Sequence, residues 1–190
     1  MAMTMLAMAL VLLSSALGDQ SRAGRGETAD LFAIYLVAER VDPRITAYAK
    51  GDWSRLRLSP SPLIAGDDII SYDLSTHAMK LQREALARIP NPPVDGTPFI
   101  VVAQGQRVYL GVFITITSSH SFAVPVIDAH PQALNPSHPA DTLVIERAYP
   151  SKSFGVGPDP RGDERIKTAL IALGKSKGAT ARLPRDVERE

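Results

Sequence analysis

The longest block of patterned hydrophobic positions runs from Thr97 to Thr117, TPFIVVAQGQRVYLGVFITIT. Phe99 to Ala103 is unbroken and apolar, Gln104-Gly105-Gln106 reads as a turn, and a second arm starts at Arg107. Side chains alternate along a strand, so Val108, Leu110, Val112, Ile114 and Ile116 share one face of that arm. Tyr109, Phe113 and Thr115 share the other, with Gly111 between the two rings. An arm that is apolar on one side and aromatic on the other predicts a central place in a sheet. The Val112 row supplies one core face. Tyr109 and Phe113 are then covered either by the domain's own helices and loops or by a partner, because exposed aromatic patches mark interaction sites.

Around this hairpin the pattern alternates between short strands and helices. Leu31 to Ala38 reads as a first strand. Asp42-Pro43 opens a short helix with Ile45, Tyr48 and Ala49 inward, and Gly51 ends it. Ser54 to Leu58 alternates and stops at the Ser59-Pro60-Ser61-Pro62 break. Asp68 to Leu81 reads as two strands around Leu74-Ser75-Thr76, and Gln82 to Ile89 as a two-turn helix stopped by Pro90, Pro92 and Pro93. Phe122 to Asp128 is a strand that Pro125 moves to an edge or a bulge. Residues 129–140 and 150–160 are proline-rich loops, with Thr142 to Arg147 as the last strand between them. Asp163 caps a closing helix whose stripe is Ile166, Ala169, Leu170 and Leu173, and Gly174 ends it. The pattern predicts one α+β domain over 31–174, with a mostly antiparallel sheet and about three helices mainly on one face. Residues 19–30 read as a flexible lead and 175–190 as a disordered charged tail.

The first eighteen residues change the picture. Leu6 to Leu13 is a continuous apolar run, and Ala16 and Gly18 supply the small residues of a signal-peptidase site, predicting cleavage before Asp19. The n-region lacks Lys and Arg, and a buried N-terminal helix is the competing reading. No other run approaches the ~18 apolar residues of a membrane span, so the expected address of the mature chain is periplasmic or secreted. Composition adds less. The chain has 190 residues, 45% hydrophobic and 22% charged, enough for one real core. A net charge of +1 argues against a nucleic-acid surface. The absence of cysteine removes disulfides, thiol nucleophiles and cysteine metal ligands.

From Leu81 onward the order of elements resembles the periplasmic P1 head subdomain of SecD-type translocase subunits. The features that carry it are Lys80-Leu81 leading into Glu84 to Ile89, the apolar strand Gly96 to Ala103, the turn at Gly105, and a closing helix from Ile166 to Gly174. The likeness covers about half of the chain. No membrane helices follow, and Ser118 to Ser121 and the 129–140 loop have no counterpart. The resemblance implies a small extracytoplasmic α+β module and no transport activity for an isolated domain. The chain is also similar to many short exported bacterial proteins.

Candidate chemistry is sparse. Ser118-Ser119-His120-Ser121 places serines beside a histidine, and Asp128 or Asp141 could orient that histidine in a hydrolase. Adjacent residues on an extended segment point apart, and no G-x-S-x-G elbow presents a serine. The competing reading is a polar connection whose hydroxyls satisfy turn amides. His120, Asp128, His130 and His138 carry the right donors for zinc, at spacings that match no ligand motif, and His77 is remote from them. Asp67, Asp68 and Asp73 could form a carboxylate pair, or hold a strand entry and its turn. Arg161-Gly162-Asp163 is explained by the helix cap. Gly155 and Gly157 are too few for a phosphate-cradling loop, and the tail's Lys175, Lys177, Arg182, Arg185 and Arg189 are interrupted by acids. The expected function is therefore an exported, non-catalytic binding or accessory module with an envelope protein as partner and no cofactor. The alternative is a small hydrolase or metal-dependent enzyme built on His120.

Overall fold

The computed structural model describes residues 28–42 and 53–177. The predicted signal peptide, the helix after Asp42 and the tail beyond 177 lie outside the described residues.

Among the described residues one sheet has nine strands: β1 Phe32–Leu36, β2 Ile64–Ala65, β3 Ile69–Asp73, β4 Ala78–Leu81, β5 Thr97–Ala103, β6 Gln106–Ile114, β7 Val126–Asp128, β8 Thr142–Glu146 and β9 Ser176–Lys177. Their order is β2-β1-β5-β6-β7-β8-β4-β3-β9. Pairing is antiparallel except at β6–β7 and β3–β9. A helical turn at 28–31 leads into β1. The helices α1 (Arg83–Leu86) and α2 (Glu164–Ala172) complete an α+β domain with a mostly antiparallel sheet.

The sheet is curled. In a flat sheet, β1 and β3 would lie roughly 29 Å apart at ~4.8 Å per strand. Instead the rings of Phe32 in β1 and Tyr72 in β3 have centroids 6.5 Å apart. The connector from β2, one edge of the sheet, to β3 is only Gly66–Asp68. At that corner Asp68 Oδ2 accepts the Ala65 amide at 2.8 Å and lies 2.7 Å from Arg88 Nη2, an ionic contact out of line for a hydrogen bond. Gly66 fits under Leu173 and the Thr28 carbonyl, where a Cβ would come within 2.7 and 3.1 Å of them. The inner face of every strand from β1 to β8 then meets in one core with α2. Phe32, Tyr72, Met79, Phe99, Phe113, Ile127, Ile145, Ile166 and Leu170 all belong to it. Both helices contribute to this inner face, through Ala85 of α1 and Ile166, Ala169 and Leu170 of α2.

The outer face of β5, β6 and β7 is covered as well. Ile100, Val102, Leu110, Val112, Ile114 and Val126 pack under Leu56, Phe122 and Val124, with Trp53, Leu58 and Tyr149 at the margin. The alternation read from the sequence holds for Leu110, Val112 and Ile114 and breaks at Val108, which joins the inner cluster. A bulge is the reason: Val101 pairs with Tyr109 and Val102 with Arg107, so Val108 is the extra residue.

Several elements depart from the sequence reading. Residues 54–58 form a single bridge, Leu58 to Val37, rather than a strand. Phe122 to Asp128 shortens to β7, which is internal and not an edge. Pro125 stands just before it, and its carbonyl accepts the Val112 amide at 2.9 Å, so the missing N–H costs no ladder bond. Residues 175–177 belong to the sheet rather than to a tail. The Lys175 carbonyl takes the Tyr72 amide at 2.7 Å, and such backbone pairing needs no apolar periodicity. Residues 28–30 are helical where a flexible lead was expected.

Candidate functional site

The polar connection after β6 is held by its own backbone. The Ser118 hydroxyl donates to the Val94 carbonyl at 2.8 Å and accepts the His120 amide at 3.3 Å. A hydroxyl whose proton points at a carbonyl is not donating to an imidazole. His120 Nδ1 lies 3.3 Å from Asp95 Oδ1, a close contact rather than an aligned hydrogen bond. Its carboxylate neighbour is thus Asp95, and neither Asp128 nor Asp141. Ser119 is exposed. Asp128 accepts the His130 amide at 2.9 Å. Asp141 pairs with Lys80 at 2.9 Å, which holds its carboxyl below the usual range.

The histidines are dispersed. His130 Nε2 lies 3.2 Å from Asn91 Oδ1, and His138 Nε2 lies 2.8 Å from the Thr142 carbonyl. Among the described residues no three His, Asp or Glu side chains are grouped to hold a metal. Two acids of 67–73 are structural: Asp68 closes the sheet corner, and Asp73 Oδ1 takes the Ser75 hydroxyl at 2.6 Å and two amides of the turn, while Asp67 is exposed and only its main-chain carbonyl is engaged, by Gln82 Nε2 at 2.6 Å. Tyr109 and Phe113 are 4% and 0% exposed, so their rings are covered by this domain and do not form a surface patch.

A part-buried polar cluster closes one edge of the inner core. Arg161 forks onto Asp159 (Nε to Oδ1 2.9 Å, Nη2 to Oδ2 2.6 Å) and donates from Nη1 to the Ile145 carbonyl at 2.6 Å. The Tyr72 hydroxyl lies 3.2 Å from His77 Nδ1, and His77 has the left-handed φ of 57°. Burial raises the phenols of Tyr72 and Tyr109 and lowers the His77 imidazole, with the nearby Arg161 cation acting in the same direction on His77. The cluster locks residues 159–161 to β8 and satisfies polar groups in the core. Asp163 caps α2 through the Arg165 amide at 2.9 Å, so the Arg161-Gly162-Asp163 tripeptide is a structural element.

A concave surface of mostly apolar character is a cleft of about 390 Å³ beside the first half of β6. Its walls include Trp53, Leu110, Val124, Val156, Pro158 and Arg147. Three features shape it. Arg107 Nη1 holds the Trp53 and Ser54 carbonyls at 3.1 and 2.8 Å. Arg147 Nη2 donates to the Gly157 carbonyl at 2.7 Å. Gly155 lies against the Arg147 stem, where a Cβ would come within 2.9 to 3.3 Å of it.

No family model, no curated protein and no solved structure matches the chain. The site is therefore read from its own geometry. Sequence reasoning passed over it because Trp53, Leu110, Val124, Arg147 and Val156 are widely separated and share no local pattern. The one available signal was the lone tryptophan of the chain, standing outside any predicted strand.

Proposed function

We propose that the protein is an exported, non-catalytic binding module of the cell envelope, and that it binds through the cleft at Trp53 and Arg147. The observation that carries this reading is the character of the cleft: apolar walls, one cation, and an aromatic ring at the margin of the outer cluster. A few placed polar groups in an apolar concavity are the usual make-up of a binding site. The groups a hydrolase would need are engaged elsewhere, Ser118 with Val94 and Asp141 with Lys80. Export is supported by the Leu6 to Leu13 run and the small residues Ala16 and Gly18, and the likeness in element order to the SecD-type head subdomain points to the same compartment.

Val156 lines the cleft and is 48% exposed, which suits it to a photo-reactive residue. Irradiation in the native cell should give adducts with envelope components from position 156 and not from the exposed Gln132, which is outside the cleft lining. Mass spectrometry of the same material should find the N-terminus at or near Asp19. Equal labelling from both positions, or full-length protein recovered from the cytosol, would overturn the proposal.

A further inference from the structure

We propose that the cleft takes a small apolar carboxylic acid, its chain along Trp53, Leu110 and Val124 and its carboxylate on Arg147. This rests on the reading of the cleft as the binding site and adds the class of ligand.

The argument starts from Arg147. A guanidinium has five N–H donors, and this one makes a single hydrogen bond, to the Gly157 carbonyl, with no ion pair among the described residues. That bond and the packing of its stem on Gly155 fix the fork before any ligand arrives. A cation without a counter-charge, set in an apolar wall, is complementary to an anionic head on an apolar body. The other basic groups nearby are committed: Arg107 to the Trp53 and Ser54 carbonyls, Arg161 to Asp159 and Ile145.

The side chains of the walls suit a hydrocarbon chain better than a peptide. β6 is hydrogen-bonded to β5 and, at Val112–Ile114 alone, to β7, so a peptide strand could pair only with its first half. A peptide would bring amides that the valines, leucine and prolines of the wall cannot satisfy, whereas a hydrocarbon chain asks for no hydrogen bonds. The volume, about 390 Å³, is at the small end of ligand pockets. That suits a single medium-length chain better than a two-chain lipid.

The chain contains one tryptophan, Trp53, so its fluorescence reports on this cleft alone. The purified full chain is titrated with decanoate and, separately, with decanol. Decanoate should shift the Trp53 emission saturably and bind at least about tenfold more tightly than decanol, the scale of a charge-assisted hydrogen bond. Arg147→Gln should abolish that preference, and Arg147→Lys should keep part of it; urea denaturation checks that both variants remain folded. The comparison of the two ligands on the wild-type chain stands even if a variant fails to fold. Equal binding of decanoate and decanol overturns the carboxylate assignment and leaves the cleft as a binding site. No response to either ligand, with adducts still forming from position 156, overturns the ligand class and leaves the binding-module reading. No response and no adducts removes both.

Discussion

Gly111 offers a sharp test of how the sheet is built. It is a strand residue with an ordinary φ, paired across from Phe99. In a strand interior, replacing glycine by alanine normally stabilises by about 0.5–1 kcal/mol, because glycine loses more entropy on folding. Here the sign should reverse. A Cβ at position 111 would stand 2.3 Å from Phe99 Cζ, 2.6 Å from Cε2 and 2.8 Å from the Pro125 carbonyl oxygen. The Phe99 ring has no room to swing, since it is fully buried with the Phe113 ring centroid 4.9 Å away. The Pro125 carbonyl is equally fixed by the Val112 amide. Overpacking of this kind costs typically 1–3 kcal/mol, and two rigid neighbours place Gly111→Ala at the upper end, about 2–3 kcal/mol net. Phe99→Ala alone should cost ~3–5 kcal/mol through the cavity it leaves. In that background the new methyl enters vacated space and meets only Pro125, so the double variant should be less destabilised than the sum by about 1–2 kcal/mol. Urea denaturation of the four proteins, followed by circular dichroism and Trp53 fluorescence, measures the cycle. A stabilising or neutral Gly111→Ala, or additivity within ~0.5 kcal/mol, would refute the Phe99-over-Gly111 packing and the register that creates it.

Phe113→Ala should cost ~3–5 kcal/mol, because the ring is fully buried; a loss under about 1 kcal/mol would show it to be exposed. Asp73 should titrate at about 2, held down first by the Ser75 hydroxyl and then by the Ser75 and Thr76 amides. Because the folded value lies below the unfolded one, its stabilising contribution is complete above the unfolded pKa and is lost as pH falls toward about 2. Ser75→Ala should raise the carboxyl toward its ordinary value, read by NMR titration, and an unmoved midpoint contradicts the turn geometry. Zinc titrated calorimetrically into the purified chain should show no submicromolar site, since His130 and His138 each commit one ring nitrogen to Asn91 and Thr142; a tight site lost on His130→Ala would overturn this.

What the sequence made legible was local. The hairpin, its turn at Gly105, the β3–β4 pair around Leu74-Ser75-Thr76 and the capped α2 all rest on contacts within a few residues, and all are present. The readings that failed depend on partners far along the chain. Pro125 argues for an edge strand until the Val112 amide is seen to need only its carbonyl. Lys175 to Lys177 have no apolar pattern, and only the exposed backbone of β3 gives them a strand to join. Val108 leaves its expected face because of a bulge that neither arm announces. At the candidate sites the types of residue were visible and their partners were not: His120 has a carboxylate, but it is Asp95 from the loop before β5.

The question the hairpin posed, whether its aromatic face meets a helix or a partner, is answered by closure of the sheet. An open sheet with these strands would leave Tyr109 and Phe113 needing cover from outside. The three-residue corner Gly66–Asp68 instead brings β3 round to β1, and each inner face becomes cover for the others. That consumes the inner surface: the polar groups there include the Tyr72–His77 pair and an Arg161 that is held by Asp159 and the Ile145 carbonyl. The outer face of β5 to β7 is spent on a second layer of segments drawn from loops. Loops cover a twisted sheet less completely than a helix does, because they carry fewer apolar side chains in register. The cleft at Trp53 lies at the margin of that looser layer, and Arg147 is the cation left unpaired there. Apolar surface left partly uncovered and a cation without a counter-charge thus meet at one place, which is why the proposed recognition lies on the outer layer and not on the aromatic face the sequence puts forward.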